Sequence, residues 1–550
     1  MGIKFFFKWL RETFPSFIKN VSIFQPFTPS IDHFLIDVNG IIHYCCQKWY
    51  GYGAFKSPSS KGKDLVSEIL HYLQRIIQFI NPKKTVFLAI DGVAPLSKQF
   101  QQRSRRYRSS MDRLNNKQEF NSNSITPGTE FFDQITFSIH RWISKKMTKD
   151  WNHLHILFSS EKAPGEGEHK LVKWVREYGD SRDSYMLHGM DADLIMLALA
   201  THFPHFHILR ENTFRPEIEF FHIDMENIRD RLIINMLQDL SDNSDFCHIN
   251  DFIVMIFLTG NDFLPTIPTI ELLDNGVDYV FNMYRRIVKM YGTLTNENGF
   301  IKPDVFSKFL GDLSLEQVSF LCEKRAKSGY FPDPLLEKHT KLGDDSKDDS
   351  NEEYKEKYDL NWDAYRIDYY QEKFGIDITK DEASLKKICH AYLEGTTWVL
   401  EYYLRETPHW KWAYPYFYAP FLSDLAHYCA TINLGRPSYL RMKDDGPFSP
   451  FLQLLCVLPK TSIELLPKCM HPIIETIGAL GFPDECEIDL SGKRHEWEGI
   501  VKLPLLPLHQ IEKLYRIHVK ELTTEESKRN RLGHTFEYKG GKIEKHPLKM

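Results

Sequence analysis

No stretch of the 550 residues approaches the ~18 consecutive apolar positions a membrane-spanning helix needs. The longest tight run, Phe252 to Leu258, suits a core helix. Cysteine is scarce. There are nine, an odd number, with no C-x-x-C pair and with Cys45 and Cys46 adjacent. That excludes a zinc or disulfide framework and predicts reduced core thiols in an intracellular protein. A dominant charge sign is missing too: 69 Lys and Arg face 74 Asp and Glu, for a net charge of −5. A uniformly basic nucleic-acid coat is excluded, and any polyanion site must be a local cluster. The opening residues lack the apolar-then-small pattern of a signal peptide, and position 6 is not the Ser or Thr that myristoylation requires. No internal repeat is visible.

What is present is ordinary globular composition, 42% hydrophobic and 26% charged, with length for two to four packed domains. In the first half, short apolar runs alternate with helical patterns. The runs His33–Val38, Thr85–Ile90, Leu154–Phe158 and Tyr185–Leu187 read as buried parallel strands, each followed by a turn. Asp64–Phe79, His169–Tyr178, Asp193–Ala200 and Asp251–Leu258 read as helices. The expected fold is therefore α/β, a mainly parallel sheet flanked by helices, over 1–275. Residues 276–550 read as a mostly helical second region packed against it. Within that region 341–360 carries eight acids and four lysines, the signature of a solvated, mobile insertion. The tail from about Thr523 is polar and expected to be peripheral.

Acids stand where the strands end: Asp37, Asp91, Glu166 and Glu168 in Pro164-Gly-Glu-Gly-Glu-His169, Asp191 and Asp193, and Asp262 after the Phe252–Leu258 helix. Ligands of open α/β sheets bind at the carboxyl ends of strands. A single Asp there is ordinarily a turn former or helix N-cap, as Asp193 would be taken on sight. Seven converging carboxylates would repel one another unless hard cations joined them. Oxygen-only ligands suit Mg²⁺ or Mn²⁺, and the matching chemistry is phosphodiester hydrolysis with two ions. Gly165 and Gly167 suit a tight loop presenting both glutamates.

Lys98, Gln102, Arg105 and Arg106 are spaced i, i+4, i+7, i+8, one face of a helix that begins just after Asp91. A solvated basic face is the usual meaning of such a run. Gln102 and the proximity to Asp91 favour a phosphate pocket. From Trp398 to Phe421, ten of 24 residues are aromatic. Most should be core, with one or two left to stack bases. His43, six residues after Asp37, falls near the crevice mouth. The cluster His202, His205 and His207 has no acidic or Cys company and reads as a loop feeding a strand.

Seven segments together resemble the XRN 5′→3′ exoribonucleases. They are Asp37-Val-Asn-Gly-Ile-Ile-His43, Ala89-Ile-Asp-Gly-Val-Ala-Pro95, Gln101-Gln-Arg-Ser-Arg-Arg106, Ile125-Thr-Pro-Gly-Thr-Glu130, Pro164-Gly-Glu-Gly-Glu-His169, Asp191-Ala-Asp-Leu-Ile-Met196 and Gly260-Asn-Asp-Phe-Leu-Pro265. The opening Met1 to Leu10 resembles that family's start. Trp398 to Tyr403, Trp412 to Pro420, Val457-Leu-Pro459, Glu464 to Lys468 and Glu496-Trp-Glu498 resemble its second shared region.

The resemblance implies a PIN/FEN-like nuclease core that processively removes nucleotides from single-stranded RNA bearing a 5′-monophosphate. It implies two Mg²⁺ or Mn²⁺ ions on Asp37, Asp91, Glu166, Glu168, Asp191, Asp193 and Asp262. Lys98, Gln102, Arg105 and Arg106 would form the 5′-phosphate pocket. The terminal base would stack between His43 and Trp412 or Trp410, with Trp412 preferred. Residues 4–14 would help separate strands. A pocket of limited size would make decapping a prerequisite, with the decapping machinery as a partner of a monomeric, cytoplasmic enzyme in mRNA decay, the nucleus not being excluded. Leu96 replaces a residue commonly basic in the family, and no carboxyl-terminal extension is expected. A structure-specific 5′ flap DNA nuclease and a non-catalytic RNA-binding scaffold are the competing readings.

Overall fold

The computed structural model describes the chain apart from residues 1, 2, 4, 56–63, 116, 117, 213–218, 239, 241–243, 271–275, 328, 344–356, 436, 443, 445, 541, 549 and 550. Among the described residues seven strands come from the first half: β1 (Ile18–Ser22), β2 (His33–Asp37), β3 (Thr85–Ala89), β4 (His155–Ser159), β5 (Tyr185–His188), β6 (Phe206–Glu211) and β7 (Glu219–Asp224). They lie in the order β1-β7-β6-β5-β2-β3-β4. The five from β6 to β4 are mutually parallel, and β7 and β1 close one edge antiparallel. Leu35 sits opposite Phe87 on one side and Leu187 on the other. Every position of β2 and β3 is buried, which is why both read as unbroken apolar runs.

Among the described residues nine α-helices accompany these strands: α1 (Phe6–Thr13), α2 (Val38–Tyr50), α3 (Leu65–Ile80), α4 (Leu96–Asn115), α5 (Glu130–Met147), α6 (Gly167–Tyr178), α7 (Asp193–Leu199), α8 (Met225–Leu237) and α9 (Asp245–Phe257). The Asp64 carboxylate accepts from the Ser67 N–H and starts α3 where its apolar period begins. The chain runs β2, β3, β4 outward and then returns to place β5 on the other flank of β2. Strand order reverses there, so the carboxyl ends of β2 and β5 border a crevice.

The polar tail is not peripheral. Thr535–Lys539 pairs antiparallel with β4, and Lys542–Lys545 folds back on it. Tyr538 is buried, its phenol 2.6 Å from His140 Nδ1. Only two aromatics alternate with charges there, too short a pattern to read as a strand. The sheet therefore draws strands from both sides of residue 275. The second region is mostly helical, with long helices such as Gly276–Tyr291 and Glu382–Leu404. One apolar core runs from Phe6 and Leu35 through Phe252 to Tyr284 and Trp398, joining the two regions. The flanks of the acidic segment pair as a ribbon, Thr340–Leu342 with Tyr358–Leu360. The segment 344–356 between them, expected to be mobile, lies outside the described residues.

Candidate active site

The strand ends deliver the acids as expected. Asp37 closes β2 and caps α2, its Oδ1 accepting from the Asn39 N–H at 3.1 Å. The Asn39 side chain in turn accepts from the Asp91 N–H at 3.1 Å, tying the end of β2 to the loop after β3. Glu166 and Glu168 flank the start of α6 after β4, and Asp193 opens α7 after β5. Glycine is required twice here. Gly165 holds φ +93°, and a Cβ on Gly167 would lie 3.0 Å from Asp37 Oδ1. Without that Cβ, the Gly167 N–H donates to Asp91 Oδ1 at 2.7 Å.

One carboxylate oxygen from each of Asp37, Asp91 and Glu168 falls within 4.8 Å of the other two, and Glu166, Glu168 and His169 form a second such group. Their charges oppose one another in a buried place. Burial pushes the Asp37 carboxyl well above its usual range, with repulsion from Asp91 and Asp191 adding to it. Burial lifts Glu168 in the same way, reinforced by Glu166 and Asp91. Burial raises Glu166 to about 7 against the pull of Lys98, and raises Asp193 to about 6 with help from Asp191. Asp262 departs from these four: its burial is outweighed by the Lys98 ammonium, which holds its carboxyl low.

Such an oxygen-rich, mutually repelling set fits hard divalent cations, which remove the cost of gathering it. Asp193 Oδ1 is buried without a hydrogen-bond partner, an oxygen available to a cation. By contrast, Asp251, another buried acid, has both oxygens filled by the N–H groups of Leu294 and Thr295 and the hydroxyls of Thr295 and Tyr284. It serves as a structural anchor.

A cleft of about 1140 Å³ opens above the acids, with Asp91 and Asp262 on its wall. Gln102, Arg105, Arg106 and His43 line it too, together with Phe5 and Phe7 at the start of α1. Helix α4 divides its basic residues by face. Arg103, Arg108 and Arg113 turn to the second region, donating to the carbonyls of Pro504 and Gly481, of Trp497 and Gly499, and of Thr461. Arg105 is exposed in the cleft, and Arg106 donates to Thr126 Oγ1 at 2.7 Å. Lys98 is buried instead of open to the cleft. Its ammonium lies 2.5 Å from Glu166 Oε2 and 2.8 Å from Asp262 Oδ2. Burial lowers the His43 pKa to about 4, and Arg105 and Arg106 push the same way, so its ring is neutral at neutral pH.

The tryptophans expected opposite His43 do not reach the cleft wall. Trp410 and Trp412 are both 6% exposed, and neither lines the cleft. Trp412 stacks on Trp398 at 5.3 Å, and the Trp410 carbonyl accepts from the Leu96 N–H that starts α4. Of the aromatic run, Tyr414, Pro415, Tyr416, Phe417 and Tyr418 reach the cleft wall. The His cluster is not a metal site: His202 pairs with Asn250, His205 with Glu226 and His207 with His222.

Residue-by-residue reading of the sequence overlooks Lys170, which donates from α6 to the carbonyls of Ile90 and Ser160 and so ties the ends of β3 and β4. Burial drops its pKa to about 7, with Asp91 opposing. Its place one turn after Glu166 was the only available signal.

A family model described as XRN 5′-3′ exonuclease N-terminus matches residues 1–212, and one described as Xrn1 helical domain matches 244–328 and 323–538. The human protein named 5′-3′ exoribonuclease 1 is 30% identical over 96% of this chain, and the chain spans 35% of that relative. The Gallus gallus 5′-3′ exoribonuclease 2 is 28% identical, covering 100% of this chain and 73% of its own length. The Saccharomyces cerevisiae 5′-3′ exoribonuclease 1 is 27% identical over 98% of this chain, which spans 44% of it. Among solved structures, the catalytic core of Rad2 in complex with DNA substrate aligns at 13% identity over 79% of this chain and 96% of that one, with a TM-score of 0.34. That likeness is too slight to bear on the fold.

Proposed function

This chain belongs to the XRN 5′→3′ exoribonuclease family, and from that premise we propose that it is an active, processive 5′→3′ exoribonuclease acting on single-stranded RNA with a 5′-monophosphate. The observation that carries the reading is the juxtaposition of buried acids at the ends of β2 to β5 with the cleft face of α4. Asp37, Asp91, Glu166, Glu168, Asp191, Asp193 and Asp262 would hold two Mg²⁺ or Mn²⁺ ions. Bound there, such ions supply a hydroxide at neutral pH and stabilise the leaving oxygen.

The chain's own groups bind and orient. Arg105 and Arg106 offer guanidinium N–H donors to a terminal phosphate, and Gln102 adds a neutral contact from the same face. Neutral His43 presents a ring to the first base. Lys98, already bonded to Glu166 and Asp262, holds the charge balance between acids and phosphate. Phe5 and Phe7 line the cleft, and bulky rings there would favour a single strand over a duplex. Functionally, 1–275 supplies acids and phosphate donors, and 276–550 supplies the facing wall. A cap would leave no terminal monophosphate for the arginines, so a decapping reaction would come first in mRNA decay.

The test is a time course on RNA with 5′-monophosphate, triphosphate and hydroxyl ends, with and without Mg²⁺, beside a DNA flap. Mg²⁺-dependent release of mononucleotides from monophosphate RNA is the expected result. Preference for the flap, or equal background loss with Asp191→Ala, would overturn it.

A further inference from the structure

Two adjacent residues of the second region reach two different acids of the site. Tyr402 and Tyr403 stand near the end of helix Glu382–Leu404, one 0% and the other 1% exposed. The Tyr402 phenol donates to Glu166 Oε1 at 2.7 Å. The Tyr403 phenol donates to Asp193 Oδ2 at 3.4 Å. Glu166 follows β4 and Asp193 follows β5, so this one helix reaches acids that follow two different strands.

Both rings are held. Tyr402 lies between Trp398 at 5.1 Å and His169 at 3.8 Å, near parallel to each. Tyr403 sets its edge against Phe257 at 4.9 Å and His169 at 5.5 Å. Arg176 of α6 donates to the carbonyls of Tyr403 and Arg405, clamping the end of the helix to the element that carries Glu168. A buried phenol needs some acceptor. Neighbouring tyrosines satisfy that need with backbone, as Tyr392 with Pro265 O and Tyr369 with Ala419 O, or with acids outside the site, as Tyr370 with Asp424 and Tyr418 with Asp489. Tyr402 and Tyr403 use acids of the site itself.

A carboxylate that accepts at one oxygen is fixed in orientation and keeps the other for a cation. For Asp193 that other oxygen is the buried Oδ1, which has no partner; for Glu166 it is Oε2, 2.5 Å from the Lys98 ammonium, so a cation there would share the oxygen with Lys98 or displace it. Loss of a group that orients a metal ligand in this way typically costs roughly 10- to 100-fold in metal affinity.

We propose that Tyr402 and Tyr403 are positioning residues that aim Glu166 and Asp193 at the divalent cations, so that the helical region sets cation affinity directly. The inference rests on the cation-dependent nuclease reading above.

Mn²⁺ titration calorimetry on the full chain tests it, with thermal unfolding in EDTA alongside. Tyr402→Phe keeps the stacked ring and removes the donor. It is expected to weaken Mn²⁺ binding roughly 10- to 100-fold, to raise the Mg²⁺ needed for half-maximal activity, and to leave KM for RNA at saturating Mg²⁺ unchanged. Tyr403→Phe, whose contact is longer, should show the same change at smaller size, and it carries the test should Tyr402→Phe not fold. Tyr370→Phe is the control. Its phenol, 2.6 Å from Asp424, is also buried, so its loss should lower the melting temperature without touching Mn²⁺ affinity. Wild-type Mn²⁺ affinity in both tyrosine variants would overturn the proposal. Equal Mn²⁺ binding by wild type and Asp91→Asn would instead overturn the site reading beneath it.

Discussion

The Lys98 ammonium lies 2.5 Å from the Glu166 carboxylate, and both side chains are less than a tenth exposed. A second acid, Asp262, shares that ammonium at 2.8 Å. Burial works against the Lys98 charge, yet Asp262 and Glu166 overcome it and hold the pKa well above the ordinary lysine value. Removing one partner of a buried pair strands the other, at about 3–5 kcal/mol. Lys98→Met should therefore melt earlier than wild type in EDTA. Because the stranded charges are those that cations would neutralise, added Mn²⁺ should recover more of the loss in the variant than it adds to wild type. Parallel melts with and without Mn²⁺ check this, and equal Mn²⁺ shifts in the two proteins would contradict it.

Glu166 supplies a pH prediction. Its folded pKa of about 7 exceeds that of a free glutamate near 4.3, first because of burial. Between those values the folded state binds more protons than the unfolded one, so this group stabilises fully below about pH 4 and loses that contribution as pH rises through about 7. Glu166→Gln mimics the protonated acid at every pH. In EDTA, wild type and Glu166→Gln should melt together near pH 4, and wild type should melt progressively lower toward pH 8. With Mn²⁺ at pH 8 the order should reverse, because only the carboxylate binds the ion. Melting curves across that range decide it.

The parallel core was legible because β2 and β3 are buried on both faces, and such strands leave unbroken runs like Phe34-Leu35-Ile36 and Val86-Phe87-Leu88. The acids were legible because each follows a run that is plainly a strand or helix. Burial and partner choice were not. Nothing local tells that Arg103 faces Gly481 while Arg105 faces the cleft, since the partners lie hundreds of residues away. Tyr402 and Tyr403 looked like two more rings in an aromatic stretch, and only the packing of their helix reveals the carboxylates they meet. The strand Thr535–Lys539 was missed because its pairing with β4 is long-range and its apolar pattern is two residues long.

The two faces of α4 predict two kinds of failure from one helix. Arg105→Ala removes donors from the cleft and should reduce selection of 5′-monophosphate over 5′-hydroxyl RNA by about tenfold or more, the range for charge-assisted hydrogen bonds, with little change in melting temperature. Arg103→Ala removes a buried guanidinium that bonds Pro504 and Gly481. It should lower the melting temperature while leaving that selection intact in the protein that remains folded. Matched digestion of the two RNAs, plus melts, separates these outcomes. Loss of selection in Arg103→Ala without loss of stability would show that the division by face is misplaced.

Trp412 supplies the sharpest contrast between sequence expectation and structure. As the ring opposite His43 it would stack the terminal base, and its truncation would raise KM with little effect on stability. In the fold it is 6% exposed and stacked on Trp398, which in turn stacks on Tyr402 behind Glu166. Truncating a buried tryptophan costs about 3–5 kcal/mol. Trp412→Ala should thus melt well below wild type. It should also weaken Mn²⁺ binding, because Trp398 loses the ring that backs it against Tyr402, whose phenol bonds Glu166. KM for a short monophosphate RNA, assayed at saturating Mn²⁺ below the unfolding transition, should stay near wild type. A raised KM with an unchanged melting temperature would return Trp412 to the base-stacking role.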